Sequence, residues 1–457
     1  RSRGYAQSRR LIFGFFFILG LAATAVLTIP SPVAGQSLAL QVTLPGTNTP
    51  QPTIFTFATN TPSGPSATPS PSATPTATFT ETATATPTAT ATSTPTDTPS
   101  PTPTPNGPAI YPENVNPLTG LEYPNEAAKA RRNLIVKISN YPPLVRPQSG
   151  VNQADLVWEY ETEGGVTRFA AIYRNNAPTH VGSVRSARLI DLELIPMYNA
   201  LLAYSGTSEP IQKLVLASEY VYQTFSPLKG DNCEDSGFCR FPQDGLAFEH
   251  TMFLDTNVLW DKATRRNVNT GYKARGFAFN PTPDAGGRPA NDVFIDWYGQ
   301  TDARWQYDPT SGHWLRYTDG IAHMDAADGQ QLWADNLVII EVPHNDNPDI
   351  FPEGATYRSI QIELWDQGRA FLLRDGQVYE GYWRRQNQDP GSALQIIYGN
   401  NIPIMLKPGR SWVSVVRGFG DVIISEQQAD MAATATALSA IASPTVDPNA
   451  LDNSDGG

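Results

Sequence analysis

The stretch WEYETEGGVTRF, Trp158 to Phe169, decides how the ordered part of this chain is read. It places Glu159, Glu161 and Glu163 at every second position, then two glycines, then Arg168. Folded about Gly164-Gly165 as a two-residue turn, it becomes a β-hairpin. Glu163 then faces Val166, Glu161 faces Arg168, Tyr160 faces Phe169 and Trp158 faces Ala171. Strand side chains alternate with period two, so Trp158, Tyr160, Phe169 and Ala171 are expected on one face. The glutamates and Arg168 fall on the other. Two readings stay open. One is a solvated outer face with a single cross-strand ion pair, worth roughly 0.2–1 kcal/mol. The other is the polar floor of a cleft, with Glu159 or Glu161 as general base.

The segment HVGSVRSAR that follows supplies partners for such a floor. Its Arg185 and Arg188 are three apart at a predicted helix start, so both project from one side. Cations at a helix N-terminus oppose the helix dipole. An anion is therefore expected beside them, either the hairpin glutamates or a ligand. Arg146, Arg168, Arg185 and Arg188 form the candidate anion clamp, because guanidinium groups match carboxylate and phosphate geometry.

Around the hairpin the pattern is mixed α and β. NLIVKISN, Asn133 to Asn140, reads as a buried strand. Ser186 to Ile195 has helical spacing and is expected to end at Pro196, while Ser208 to Ala217 and Asp255 to Arg266 read as two further helices. After Gly287 the chain breaks into short strand-like runs divided by Asp-Pro, Asp-Gly and Pro-Gly turns, a β-meander. The fold class expected is α+β: a mixed N-terminal domain over 110–286, with layered sheets and helices on one side, then a β-rich meander domain over 287–425. A polar tail, 426–457, is expected to be disordered.

The first hundred residues are of another kind. Residues 1–10 are basic, and Leu11 to Ile29 form a charge-free apolar run of about 19 residues, at the short end of a bilayer span. Arg9 and Arg10 before it set the orientation with the N-terminus in the cytoplasm. The run is either a signal anchor, giving a single-pass membrane protein, or a signal peptide cleaved after SPVAG, giving a secreted one. Residues 30–109 are dominated by Thr, Pro, Ser and Ala and cannot bury a core. As extended polyproline II, some 60 such residues reach on the order of 150–200 Å, a stalk.

The chain carries a formal net charge of −12, and no Lys or Arg lies between Arg10 and Lys129. This argues against a nucleic-acid surface, which needs a basic field. Cys233 and Cys239 are the two cysteines, and a local disulfide is the expected fate in an exported chain. No cofactor or zinc pattern is present. His323, Asp325 and Asp328 offer a cation site or a simple turn. Ser205 lacks the flanking glycines of a nucleophile elbow. Trp305, Trp314, Trp333, Trp365, Trp383 and Trp412 divide between core and candidate sugar-stacking platforms.

Several segments resemble a known family. NPLTGL (Asn116 to Leu121), RPQSGVNQADLVWEYETEGGVTRFAAIY (Arg146 to Tyr173) and VGSVRSAR (Val181 to Arg188) are similar to the YerB-like family of bacterial extracytoplasmic lipoproteins, classed as a domain of unknown function. YTDGIAHMDAADGQQLWADNLVII and LKPGRSWVSVV look like that family's second, β-rich domain. The resemblance spans residues 112–420 and implies a two-part fold without naming a reaction. One departure is the absence of a lipid-bearing cysteine after the apolar run, so anchoring is expected through the apolar helix itself or not at all. Two functions follow as expectations. The first is a stalked envelope module binding a wall glycan, another polymer or an exported protein. The alternative is a hydrolase or transferase acting on an anionic glycan or lipid-linked phosphate.

Overall fold

The computed structural model describes residues 105–434, apart from 272–273, 299 and 352–357. The basic segment, the apolar run, the Thr/Pro-rich stretch to residue 104 and the tail from 435 lie outside the described residues. The ordered chain starts slightly earlier than its composition suggests, because the Asn106 backbone pairs with Phe279.

NLIVKISN forms β1 (Leu134–Ser139), buried at every position. The quoted hairpin forms β2 (Leu156–Thr162) and β3 (Val166–Tyr173), and every β2 residue is buried. Its register differs from the two-residue turn. Thr162 pairs with Val166, Glu161 with Thr167, Tyr160 with Arg168, Glu159 with Phe169 and Trp158 with Ala170. Glu163 leaves the ladder and joins Gly164 and Gly165 in a three-residue loop. Both glycines have positive φ, 84° and 69°, which that loop requires. A shift of one residue moves every β3 side chain to the other face. Arg168 therefore shares a face with Tyr160 and Trp158, while Phe169 and Ala171 join the glutamates. The expected Glu161–Arg168 pair does not form.

Strand β4 (Leu201–Ala203) runs parallel to β1, which is antiparallel to β3. The C-terminal region contributes β5 (Asp292–Trp297), β6 (Thr301–Asp308), β7 (His313–Thr318), β8 (Asn336–Glu341), β9 (Asp366–Arg374), β10 (Gln377–Arg385), β11 (Ser411–Val416) and β12 (Val422–Ser425). Among the described residues the larger sheet has eleven strands, and its centre runs β10-β9-β8-β11-β2-β3-β1-β4. Strand β11 is parallel to both β8 and β2, so it joins the two halves of the chain in one sheet. A six-stranded sheet holds β7, β6, β5 and β12 in that order.

Both faces of the large sheet are covered, as expected for central parallel strands. One face carries Trp158, Tyr160, Ala170 and Ile172 and packs on helices α1 (Asp191–Tyr198) and α2 (Glu209–Ala217). The other carries Val157, Phe169, Ala171 and Tyr173 and packs on Trp305 and Trp314 of the smaller sheet and Trp260 of α3 (Thr256–Arg265). Helix α1 starts five residues later than its spacing suggests and keeps Pro196 inside it. Arg185 and Arg188 consequently precede the helix in extended chain. The other two helices lie where Ser208 and Asp255 place them, and the Asp255 carboxylate caps α3 by accepting from Asn257 N. The described residues all fall within one compact unit, and both core clusters draw only on them.

Candidate functional site

Three of the four arginines singled out in the sequence converge on one open pocket. Strand β3 delivers Arg168 opposite Tyr160. The segment after Gly182 delivers the other two, held straight between two strand ends. Arg185 N donates to Lys137 O at 2.9 Å, Ser205 N to Arg185 O at 3.0 Å, and Ala187 N to Gly206 O at 3.1 Å. Ser205 thus serves through its backbone, by fixing Arg185. The pocket has a volume of 860 Å³ and is lined by Glu163, Arg168, Arg185, Ser186, Arg188, Thr207, Ser208, Glu209, Pro210 and Arg358. Four arginines and two glutamates therefore line it, with Glu209 already paired with Lys213 at 2.7 Å and Arg358 with Asp346 at 2.8 Å.

Arg188 is the most engaged arginine of the cluster. Its Nε donates to Glu163 at 2.8 Å and its backbone N to Asp191 at 2.7 Å. Arg168 and Arg185 meet neutral acceptors, the carbonyls of Ser186 at 3.2 Å and Glu249 at 3.4 Å. Arg185 Nε and the Ser208 hydroxyl are buried and have no hydrogen-bond partner among the described residues. Burial, then the neighbouring Arg188 and Arg185 guanidinium groups, hold Arg168 well below its ordinary value. Burial lowers Arg185 too, against the opposing charge of Glu249. Behind the pocket Lys137 Nζ lies 2.9 Å from Asp191, both buried, and 4.3 Å from the Tyr160 ring. Burial pulls the Lys137 ammonium down to about 8 despite that partner. The cluster thus has more cation than it neutralises, in partly dry surroundings where an arriving anion interacts strongly.

Arg146 does not belong to this group. It pairs with Asp319 at 2.6 Å and is absent from the pocket lining. The candidate bases Glu159 and Glu161 lie across the sheet from the arginines, because alternation sends them to the second face. Glu159 is fully buried and accepts from Arg316 at 2.9 Å, Thr167 at 2.9 Å and Trp412 at 3.1 Å. Glu161 takes a two-point contact from Arg417, at 2.6 and 3.1 Å. Neither is placed to take a proton from a ligand held by the arginines, so the general-base assignment is corrected.

The remaining candidates are spent on structure. Asp325 accepts from the backbone of Gly150, Asn152 and Ala327, and His323 bonds Gln148 and Arg316. Cys233 and Cys239 form a disulfide beside α3. Trp305, Trp314, Trp383 and Trp412 are core residues, and only Trp365 of the six is well exposed, at 41%. The sequence reading missed Ser208, Glu163 as the Arg188 partner, Arg358 and the buried Lys137–Asp191 pair. For the last, the signal was a lysine inside an otherwise apolar strand.

Residues 118–269 match the family model described as "Protein of unknown function (DUF3048) N-terminal domain", and residues 293–413 match its C-terminal domain. The chain belongs to the DUF3048 family. It is 27% identical over 317 residues to "Putative lipoprotein YerB" of Bacillus subtilis (strain 168), covering 68% of this chain and 88% of that protein. The crystal structure of the Bacillus subtilis YerB protein superimposes with a TM-score of 0.57 at 24% identity, covering 68% of this chain and 99% of that one. That likeness shows the α+β fold. The three pocket arginines and Lys137 all fall within the N-terminal DUF3048 match.

Proposed function

We propose that this DUF3048 protein is an extracytoplasmic envelope module whose head binds an anionic group in the arginine pocket. One observation carries the reading: Arg168, Arg185 and Arg188 converge on an open 860 Å³ pocket, and among the described residues only Glu163 is directly paired to one of them. Guanidinium groups lose little on meeting a phosphate or carboxylate, and gain charge-assisted hydrogen bonds. The envelope placement is supported by the lipoprotein name of the Bacillus subtilis relative and by the apolar run at 11–29 behind Arg9 and Arg10. Among the described residues no helix is long and apolar enough to cross a membrane.

Calorimetric titration of residues 95–457 with inorganic phosphate and pyrophosphate tests the binding. Saturable binding that weakens at least tenfold in Arg168→Met and Arg188→Ala, and falls with added salt, is expected. Equal heats in wild type and both variants, or none, contradict it. Placement is checked by protease added outside intact cells, which should remove the head while cytosolic controls survive.

A further inference from the structure

We propose that the anion bound here is the head of an amphiphile, a single-chain lipid phosphate whose tail lies in an apolar groove adjoining the arginine pocket. The inference rests on the anion-binding reading above and names the class of its ligand. The groove has a volume of 340 Å³, and its apolar wall is made by Leu189, Leu192, Leu214, Ile350, Ile362 and Leu364.

Three pieces of chain pass directly from pocket to groove. Arg188 lines the first and Leu189 the second. On α2, Pro210 lines the pocket and Leu214 the groove, four residues and about 6 Å further on the same side of the helix. Arg358 lines the pocket, and Gln361 to Trp365 continue the groove. The unneutralised arginines thus line the pocket and the leucine wall lies in the groove beside it, where Arg385 is spent on Glu193. The polar liners of the groove are already used: Glu193 pairs with Arg385, Glu363 accepts from Asn345, and Asn347 bonds Gln361. They leave its leucine wall, with the half-exposed Trp365, as the surface a tail would cover. A free phosphate would fill the pocket and leave the groove empty. A polymer of phosphates or carboxylates would likewise leave the apolar wall without an occupant.

The test is calorimetry on residues 95–457 with four probes: decyl phosphate below its micelle concentration, glycerol 3-phosphate, inorganic phosphate and 1-decanol. Decyl phosphate is expected to bind at least tenfold tighter than either small phosphate, with decanol weaker than all. Leu192→Gln and Leu214→Gln should erase that advantage and leave inorganic phosphate unchanged. Leu216→Gln, an exposed position on the same helix, should change nothing and controls for folding together with thermal melts. Equal affinity for decyl phosphate and glycerol 3-phosphate overturns the amphiphile and leaves the anion pocket standing. A decyl advantage that survives both leucine variants overturns the groove. No binding of any phosphate removes the functional reading as well.

Discussion

His323 shows how far single residues here are committed. Its ring is buried, Nδ1 accepts from Arg316 Nε at 3.2 Å, and Nε2 faces the Gln148 side-chain oxygen at 2.6 Å. Arginine has no acceptor, so the proton sits on Nε2 and the ring is neutral. Burial, then the Arg316 and Arg146 charges, hold His323 well below its ordinary 6.5. Below that pH the unfolded chain takes a proton that the folded chain refuses, so stability falls as pH drops. The share of one group is at most about 1.4 kcal/mol per pH unit. His180, His250 and His344 are lowered in the same sense, so the variant isolates the effect. Urea unfolding of His323→Gln from pH 7 to 5 should show a shallower loss than wild type. Parallel curves would mean that the folded chain takes up this proton as readily as the unfolded one, and would contradict the assignment.

At the scale of elements, the hairpin separates what the sequence could show from what it could not. The two strands, the glycine turn between them and the proximity of Arg185 and Arg188 were legible from periodicity and spacing. The register was not, because a two-residue and a three-residue glycine loop differ only in whether Glu163 stays in the ladder. That single step decides which face Arg168 occupies, and hence that it joins the pocket. Nor could local sequence show that Glu159 would meet Arg316 and Trp412, respectively 157 and 253 residues away. The loop holding Cys233 and Cys239 carries its own expectation. The disulfide closes it on itself, and Lys262–Asp231 at 2.6 Å and Arg266–Asp231 at 2.9 Å tie it to α3 and the residue that follows. Closing so short a loop constrains the unfolded chain by about 2 kcal/mol. The double variant Cys233→Ser/Cys239→Ser should lose about that much in denaturant unfolding. An unchanged midpoint would show that the ion pairs alone hold the loop.

For the whole molecule, the decisive strand is β11. Composition marks a boundary near residue 287, and the two DUF3048 models match on either side of it. Yet β11 lies between β8 and β2, so the sheet ignores that boundary. The run SWVSVV announces a buried strand but not its neighbours, since parallel pairing across some 250 residues leaves no local mark. Residues 95–286 alone would expose the β2 edge and the aromatic second face. Unfolding of residues 95–457 should therefore be one cooperative transition, and residues 95–286 or 287–457 alone should show none. A separate transition in either half would contradict a shared core.

The central claim is that Arg168, Arg185 and Arg188 hold an anion, and a crystal of residues 95–457 soaked in low-millimolar selenate tests it most directly. An anomalous selenium peak is expected within about 4 Å of these guanidinium nitrogens, one Se–O bond beyond the hydrogen-bonded oxygens, and reduced or absent in Arg188→Ala. Selenate peaks elsewhere on the surface with none in this pocket would contradict it.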